Sequence, residues 1–271
     1  MSECTVVGLY AYPVKSCRGT SMPAVELSPQ GIVGDRQLVV LKDGKFANQA
    51  RLPKLATVAT RRIDGRAIEF CHNDTQTVLH QVAPEGPEAE INFYGNTIKV
   101  VDQGDELADF VSDAIGEAVR IASLMQPFTR SVPLEEFSLI DGSEQNRFVD
   151  VAPILVTNVA SLEDLNSRLD VPVPMDRFRP NIVIEGLDAF GEDHVNALEG
   201  VGWRLVRATH CERCAVTCTD QQTGERAREP LATLKSYRKR EGGYAGGVMF
   251  GAYMAVEGEA TVRVGASLRV R

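Results

Sequence analysis

No run of about eighteen apolar residues occurs in this 271-residue chain, so no membrane-spanning helix is expected. The opening residues, Met1 to Tyr10, carry no basic stretch ahead of a long apolar one, and no secretory leader is expected. Positive charge is in short supply: 29 Lys and Arg stand against 37 Asp and Glu, a formal charge of −8. That balance excludes a general nucleic-acid binder, because phosphate backbones need a basic footprint. Any bound anion must be met by a few local cations. Nucleotide signatures are missing as well. No Gly-x-Gly-x-x-Gly follows a strand and no Gly-x-x-x-x-Gly-Lys-Ser/Thr occurs, so dinucleotide and P-loop sites are not expected. Gly-x-Ser-x-Gly is absent, and no Ser–His–Asp set has a local signature. His72, His80 and His194 show no metal spacing. With no export signal, the chain is expected to be cytoplasmic and free of disulfides; nothing in the sequence forces an oligomer, and a monomer is expected. Its six cysteines then raise thiol chemistry or metal ligation.

What is present is an ordinary folded composition, 44% hydrophobic and 24% charged, enough for one large domain or two modest ones. Residues 5–10, 37–41, 58–62 and 97–101 read as strands punctuated by Pro and Gly. A helix follows, with Asp105 as its cap, Leu107, Phe110, Val111, Ala114 and Ile115 on one face, and Gly116 as its stop. The polar stretch 126–149 reads as a long functional loop or linker. Further strands are expected at 154–157, 181–184, 203–208, 215–219 and 261–264, with a helix opened by Ser161 in capping-box register with Asp164. Pro230 opens another helix carrying Leu231, Leu234 and Tyr237. Strands outnumber helices without alternating with them, which points to a β-rich α+β protein with barrel-like sheets.

Chemistry concentrates in three segments. The run from His210 to Cys218 holds Cys211, Cys214 and Cys218. Thiolates suit zinc, iron–sulfur clusters, copper or molybdenum. A zinc or cluster site commonly wants four ligands, and no second Cys-x-x-Cys exists. A single cysteine ligand to a metal otherwise held by a cofactor fits better. Small buried cysteines on a core strand are the plain alternative. Arg213, between two of the thiols, favours thiolate formation. Lys15 and Ser16, in the turn after the first strand, can offer a cation, a hydroxyl and backbone N–H groups to an anion. Arg177 and Arg179 flank Phe178; Arg forks suit phosphate, and the Asn181 amide could read a heterocycle edge. Exposed turns and surface ion pairs are the bland readings of these two segments.

In order, PVKS, GDR, FRPN, C-x-R-C, EPL-x-TLKSYR, FG-x-Y and VRVG resemble the MOSC family over nearly the whole chain, from Val6 to Gly265. The resemblance is closest to its amidoxime-reducing and N-hydroxylaminopurine-detoxifying members. It implies an N-terminal β-barrel-like domain over 1–120 and a MOSC β-barrel domain over 121–271, with a molybdenum cofactor between them. It further implies that Lys15, Ser16, Arg36, Arg179 and Asn181 hold the molybdopterin, with Arg213 and Tyr253 beside it. Cys214 would be the protein ligand to molybdenum, and Cys211 a neighbour. The implied reaction is reduction of N-hydroxylated small molecules, such as amidoximes, with electrons from a separate flavin reductase or ferredoxin-like protein. A non-catalytic cofactor carrier is the alternative, and a structural zinc at Cys211, Cys214 and Cys218 a third reading. The chain departs from the family at Arg51, which is not assigned a contact, and at Glu212, where relatives often carry Ser. No C-terminal ferredoxin domain is expected.

Overall fold

The computed structural model describes residues 2–125, 128–129, 145–241 and 246–271. Most of the expected loop at 126–149 therefore lies outside the described residues. Seven strands close into a barrel, in the order Glu3–Ala11, Ile182–Glu185, Ile154–Asn158, Met249–Glu257, Arg204–Glu212, Ala197–Glu199, Ser267–Val270 and back to the first. Six of the seven junctions are antiparallel; Ile154–Asn158 and Ile182–Glu185 run parallel. A parallel pair needs a long crossover, and here it carries the helix Val159–Asn166 and the short 3-10 turn Met175–Phe178. That crossover is what delivers Arg179 and Asn181 to the mouth of the barrel.

The barrel is filled from both ends of the chain. Val6, Leu9, Val25 and Leu27 share one core with Ile154, Val156, Ile182, Leu205, Met254 and Leu268. The chain thus starts in this barrel, leaves to build the other half, and returns. That other half has a five-stranded antiparallel sheet that includes Leu38–Lys42, Asn96–Asp102 and Arg120–Leu124. A three-stranded sheet, Val58–Asp64, Ala67–His72 and Gln76–Gln81, stands against it. The helix Asp105–Ile115 drops Leu107, Val111 and Ile115 onto Leu55, Phe70 and Ile121 between them. The β-rich α+β expectation holds: 44% of the chain is strand and 18% helix. Among the described residues, no helix is long and apolar enough to cross a membrane.

Three local expectations are corrected. Residues 215–219 are not a strand; Ala215–Cys218 is a 3-10 turn. Val216 and Thr217 are β-branched, but Thr217 donates both its amide and its hydroxyl to the Cys214 carbonyl, at 3.1 and 3.0 Å. That local bonding closes a turn where side-chain type alone suggests extension. The strand lies just upstream, and takes in His210, Cys211 and Glu212. At the first helix, Gly104 occupies the cap position and Asp102 accepts its amide at 2.8 Å, leaving Asp105 in the first turn. At the second helix, Asn158 is the cap. Ser161 is instead buried, accepting the Phe190 amide at 2.8 Å and donating to Glu192 at 2.7 Å.

Two predictions follow from this packing. Ile154 is fully buried and Val201 fully exposed; Ile154→Ala should cost about 2–5 kcal/mol in denaturant unfolding, and Val201→Ala less than about 0.5. Glu192 is sealed inside, and burial pushes its carboxyl up to about 7, against the opposing Ser161 hydrogen bond. A raised carboxyl binds its proton more tightly folded than unfolded, so stability should fall as pH rises from about 4.5 to about 7. Glu192→Gln should remove that decline in pH-resolved thermal unfolding.

Candidate cofactor site

The turn after the first strand is anchored on the other half of the molecule. Val14 bridges Leu38 in parallel register, and the Lys15 amide donates to the Leu38 carbonyl at 2.8 Å. Lys15 is buried, with its Nζ 2.6 Å from Asp150 Oδ1 and 5.4–5.8 Å from the Phe46, Phe93 and Tyr94 ring centroids. The Tyr94 hydroxyl donates to the same Asp150 oxygen at 2.9 Å. Desolvation works against the Asp150 charge, but Lys15 and Tyr94 outweigh it and hold the carboxyl below the usual range. Burial, and then Asp150, push the Tyr94 phenol upward.

A second cationic cluster is built round Tyr12. The Arg36 and Arg179 guanidinium carbons lie 4.4 and 4.5 Å from the centre of its ring. Asp35 ties this cluster together: it accepts the Tyr12 amide at 2.7 Å, Asn181 Nδ2 at 3.3 Å and the Arg36 guanidinium. Arg179 is 9% exposed and donates to Gln221 Oε1 at 3.2 Å, and no carboxylate pairs with it among the described residues. Burial and the like charge of Arg36 both act to lower its pKa. Asn181 is tied into the surrounding backbone. Its Oδ1 accepts the Leu155 amide at 3.2 Å, and its Nδ2 serves Asp35 and the Tyr10 carbonyl. Both ends of the amide are engaged in holding the site together.

The cysteine segment supplies the third wall. Past Glu212, the Arg213 amide donates to the Val248 carbonyl at 2.7 Å and its side chain turns inward. Nη2 donates to the Phe178 carbonyl at 2.7 Å and Nη1 to Cys211 Sγ at 2.6 Å. Arg213 Nε is buried without an acceptor among the described residues. Cys211 is fully buried; burial raises its pKa, while Arg213 and a hydrogen bond from Tyr253 pull the other way. Cys214 alone of the six thiols is exposed; Cys4, Cys17, Cys211 and Cys218 are buried and Cys71 is intermediate. Cys214 stands directly after Arg213, between the end of the strand Arg204–Glu212 and the turn Ala215–Cys218. Gly251 lets the strand bearing Tyr253 pass close by: its φ is +82°, and a Cβ there would lie 2.8 Å from the Val156 carbonyl oxygen.

Backbone strain marks the same place. Ser16, Arg36 and Arg179 have φ of 75°, 46° and 54°, and they are three of the eight non-glycine residues with positive φ among the described residues. Such conformations persist only where the surroundings over-determine them. A separate cavity of about 360 Å³, lined by Met22, Arg62 and Thr261 among others, touches none of the candidate side chains.

The chain matches two family models, the MOSC N-terminal beta barrel domain over residues 3–118 and the MOSC domain over residues 143–269. It is 33% identical to mitochondrial amidoxime reducing component 2 of Bos taurus, across 96% of this chain and 81% of that protein. The chain belongs to the MOSC family. Mitochondrial amidoxime-reducing component 1 of Homo sapiens is 31% identical to this MOSC protein, again over 96% and 81% of the two chains. Molybdenum cofactor sulfurase of Oryza sativa subsp. japonica is 28% identical over 100% of this chain, but that match spans only 35% of the sulfurase. The expected cytoplasmic location is overturned, because the amidoxime-reducing relatives are named as mitochondrial. The three-cysteine zinc reading also fails: among the described residues, no group of three or more His, Cys, Asp or Glu is placed to hold a metal ion.

Sequence reasoning missed the groups that hold the cations in place. Asp35 had a usable signal, standing beside Arg36 in GDR. Tyr12, Asp150, Tyr94, Gln49 and Gln221 had none, because each acts on a residue distant in sequence. In the cofactor-free chain, iodoacetamide should label Cys214 first, with Cys71 next. Peptide mass spectrometry should find that fastest site gone in Cys214→Ser.

Proposed function

We propose that this MOSC protein is a molybdenum-cofactor-dependent reductase of N-hydroxylated compounds, amidoximes among them, with Cys214 as the protein ligand to molybdenum. The observation that carries the reading is the exposed Cys214 thiol directly after the buried Arg213, in a chain that also buries Lys15 and Arg179. The residues present suit an anionic, sulfur-bound group. Among the described residues, Arg179 lacks a carboxylate partner and Arg213 Nε lacks an acceptor, and the soft sulfur of Cys214, next to Arg213 in the chain, is exposed. The names of the amidoxime-reducing and cofactor-sulfurase relatives support the same choice of cofactor.

On this reading, Lys15, Arg36 and Arg179 receive the phosphate end, where charge-assisted hydrogen bonds to phosphate are strongest. The strained turn at Ser16 presents its hydroxyl and neighbouring amides to the same end. Asn181 acts through Asp35 and the strand Ile154–Asn158, fixing where the arginines stand. Arg213 and Tyr253 bond Cys211, which holds the strand end rigid and sets the approach to Cys214. When bound, the cofactor supplies two-electron redox chemistry at molybdenum. In the net reaction the N–O bond breaks, N–H and water form, and two electrons and two protons are consumed. The sequence has no flavin, nicotinamide or cluster motif, so the electrons come from a separate donor protein of the flavin-reductase or ferredoxin-like kind.

Protein purified from a cofactor-competent host should carry molybdenum and pterin, and should reduce benzamidoxime with an artificial donor. Cys214→Ser should lower that activity by at least about a hundredfold. Benzamidoxime should also reoxidise the dithionite-reduced protein; a cofactor that stays reduced would make the chain a carrier instead. Zinc in place of molybdenum, or full activity in Cys214→Ser, contradicts the reading.

A further inference from the structure

Residues 219–226 form a loop clamped between the two halves. Thr219 and Arg226 pair across its base, and Asp220 Oδ1 closes the turn by accepting the Gln222 and Thr223 amides at 2.9 and 3.0 Å. On one side, Arg177 donates to Asp220 at 2.8 Å. On the other, Arg226 donates to the carbonyls of Gln49 and Ala50 at 2.6 and 2.9 Å, and Arg18 donates to Gln222. The loop also sits close against residues 53–54: a Cβ on Gly224 would lie 3.0 Å from Lys54 Cα.

Inside the clamp, two buried primary amides face each other. Gln49 Nε2 donates to Gln221 Oε1 at 3.1 Å, and Gln221 Nε2 returns a bond to Gln49 Oε1 at 3.2 Å. Each amide also reaches a residue of the candidate site. Gln49 Nε2 donates to the Ser16 carbonyl at 2.7 Å, and Gln221 Oε1 accepts Arg179 Nη1 at 3.2 Å. A continuous chain therefore runs from the strained Ser16 turn, through both glutamines, to the strained Arg179. Gln49 and Gln221 are 0% and 2% exposed, so neither amide has water to fall back on.

We propose that Gln221, with Gln49, is a positioning pair that presets the Arg179 guanidinium and the Ser16 turn for the anionic end of the cofactor. This rests on the cofactor reading above and adds residues that reading does not use. The chemistry of the pair suits the task. A carboxylate in place of Gln221 would neutralise Arg179 and compete with a phosphate. A neutral amide oxygen fixes the direction of the guanidinium and leaves its charge for the ligand. Fixing the fork beforehand lowers the ordering cost of binding. The pair spans both halves, so it also fixes the distance between Ser16 and Arg179.

The test uses the cofactor-free chain and inorganic phosphate as the probe, by isothermal titration calorimetry. The variants are Gln221→Met and Gln49→Met, with Val111→Ala in the helix Asp105–Ile115 as a stability-matched control. Both glutamine variants should bind phosphate roughly five- to tenfold more weakly than wild type, the scale of one ordinary net hydrogen bond. They should also retain less pterin when made in a cofactor-competent host, while Val111→Ala matches wild type in both respects. Wild-type phosphate affinity in the two glutamine variants overturns the inference. Equal weakening in all three variants also overturns it, because the effect would then be one of general stability. A wild-type chain that binds no phosphate and carries no pterin sinks the cofactor reading beneath it.

Discussion

An acidic protein that buries Lys15, Arg179 and Arg213, and covers most of Arg36, carries an electrostatic constraint, and the rest of the molecule is arranged to satisfy it. Isolated buried charges cost several kcal/mol each unless they are paired or hydrogen-bonded. Asp35 and Asp150 supply the negative charge for two of the four, Arg36 and Lys15. The other two are held by neutral groups: the Tyr12 ring and the Gln221 amide for Arg179, the Phe178 carbonyl and the Cys211 sulfur for Arg213. Among the described residues the site therefore keeps two cations without a carboxylate, Arg179 and Arg213, and the exposed Cys214 thiol follows the second of them in the chain.

The fold explains how that surplus is assembled. Lys15 and Ser16 come from the turn after the first strand of the barrel, and Arg179 and Asn181 from the end of the crossover between its parallel strands. Cys214 follows the strand Arg204–Glu212. Regular strands cannot point all of these side chains at one spot. Left-handed backbone at Ser16, Arg36 and Arg179 re-aims them, and the strain is sustained by bonds from Gln49, Asp35 and Gln221.

Much of this was legible in the sequence, and the limits were physical. The β-rich architecture showed in short β-branched runs, and the barrel strands at 154–157 and 181–184 lay within a residue of the observed ones. The chemistry-bearing segments were legible because cations, a Cys-x-x-Cys and a turn sat in short stretches. The turn after Cys214 was not, since Thr217 reads as a strand former until its hydroxyl is seen bonding the Cys214 carbonyl. The bonds of Asn181 to Leu155, Tyr10 and Asp35 were not legible, because these partners are brought to it only by folding. The glutamine pair joins positions 49 and 221, and no local pattern announces a bond across that span. Location was misread because the absence of a secretory leader says nothing about other compartments.

The central claim is that Cys214 supplies a sulfur to molybdenum. X-ray absorption at the molybdenum edge of the purified holoprotein tests it most directly, by counting the sulfur atoms around the metal. The account predicts one sulfur beyond those of the pterin dithiolene, assigned to Cys214. A coordination sphere in which the dithiolene sulfurs are the only ones would contradict it.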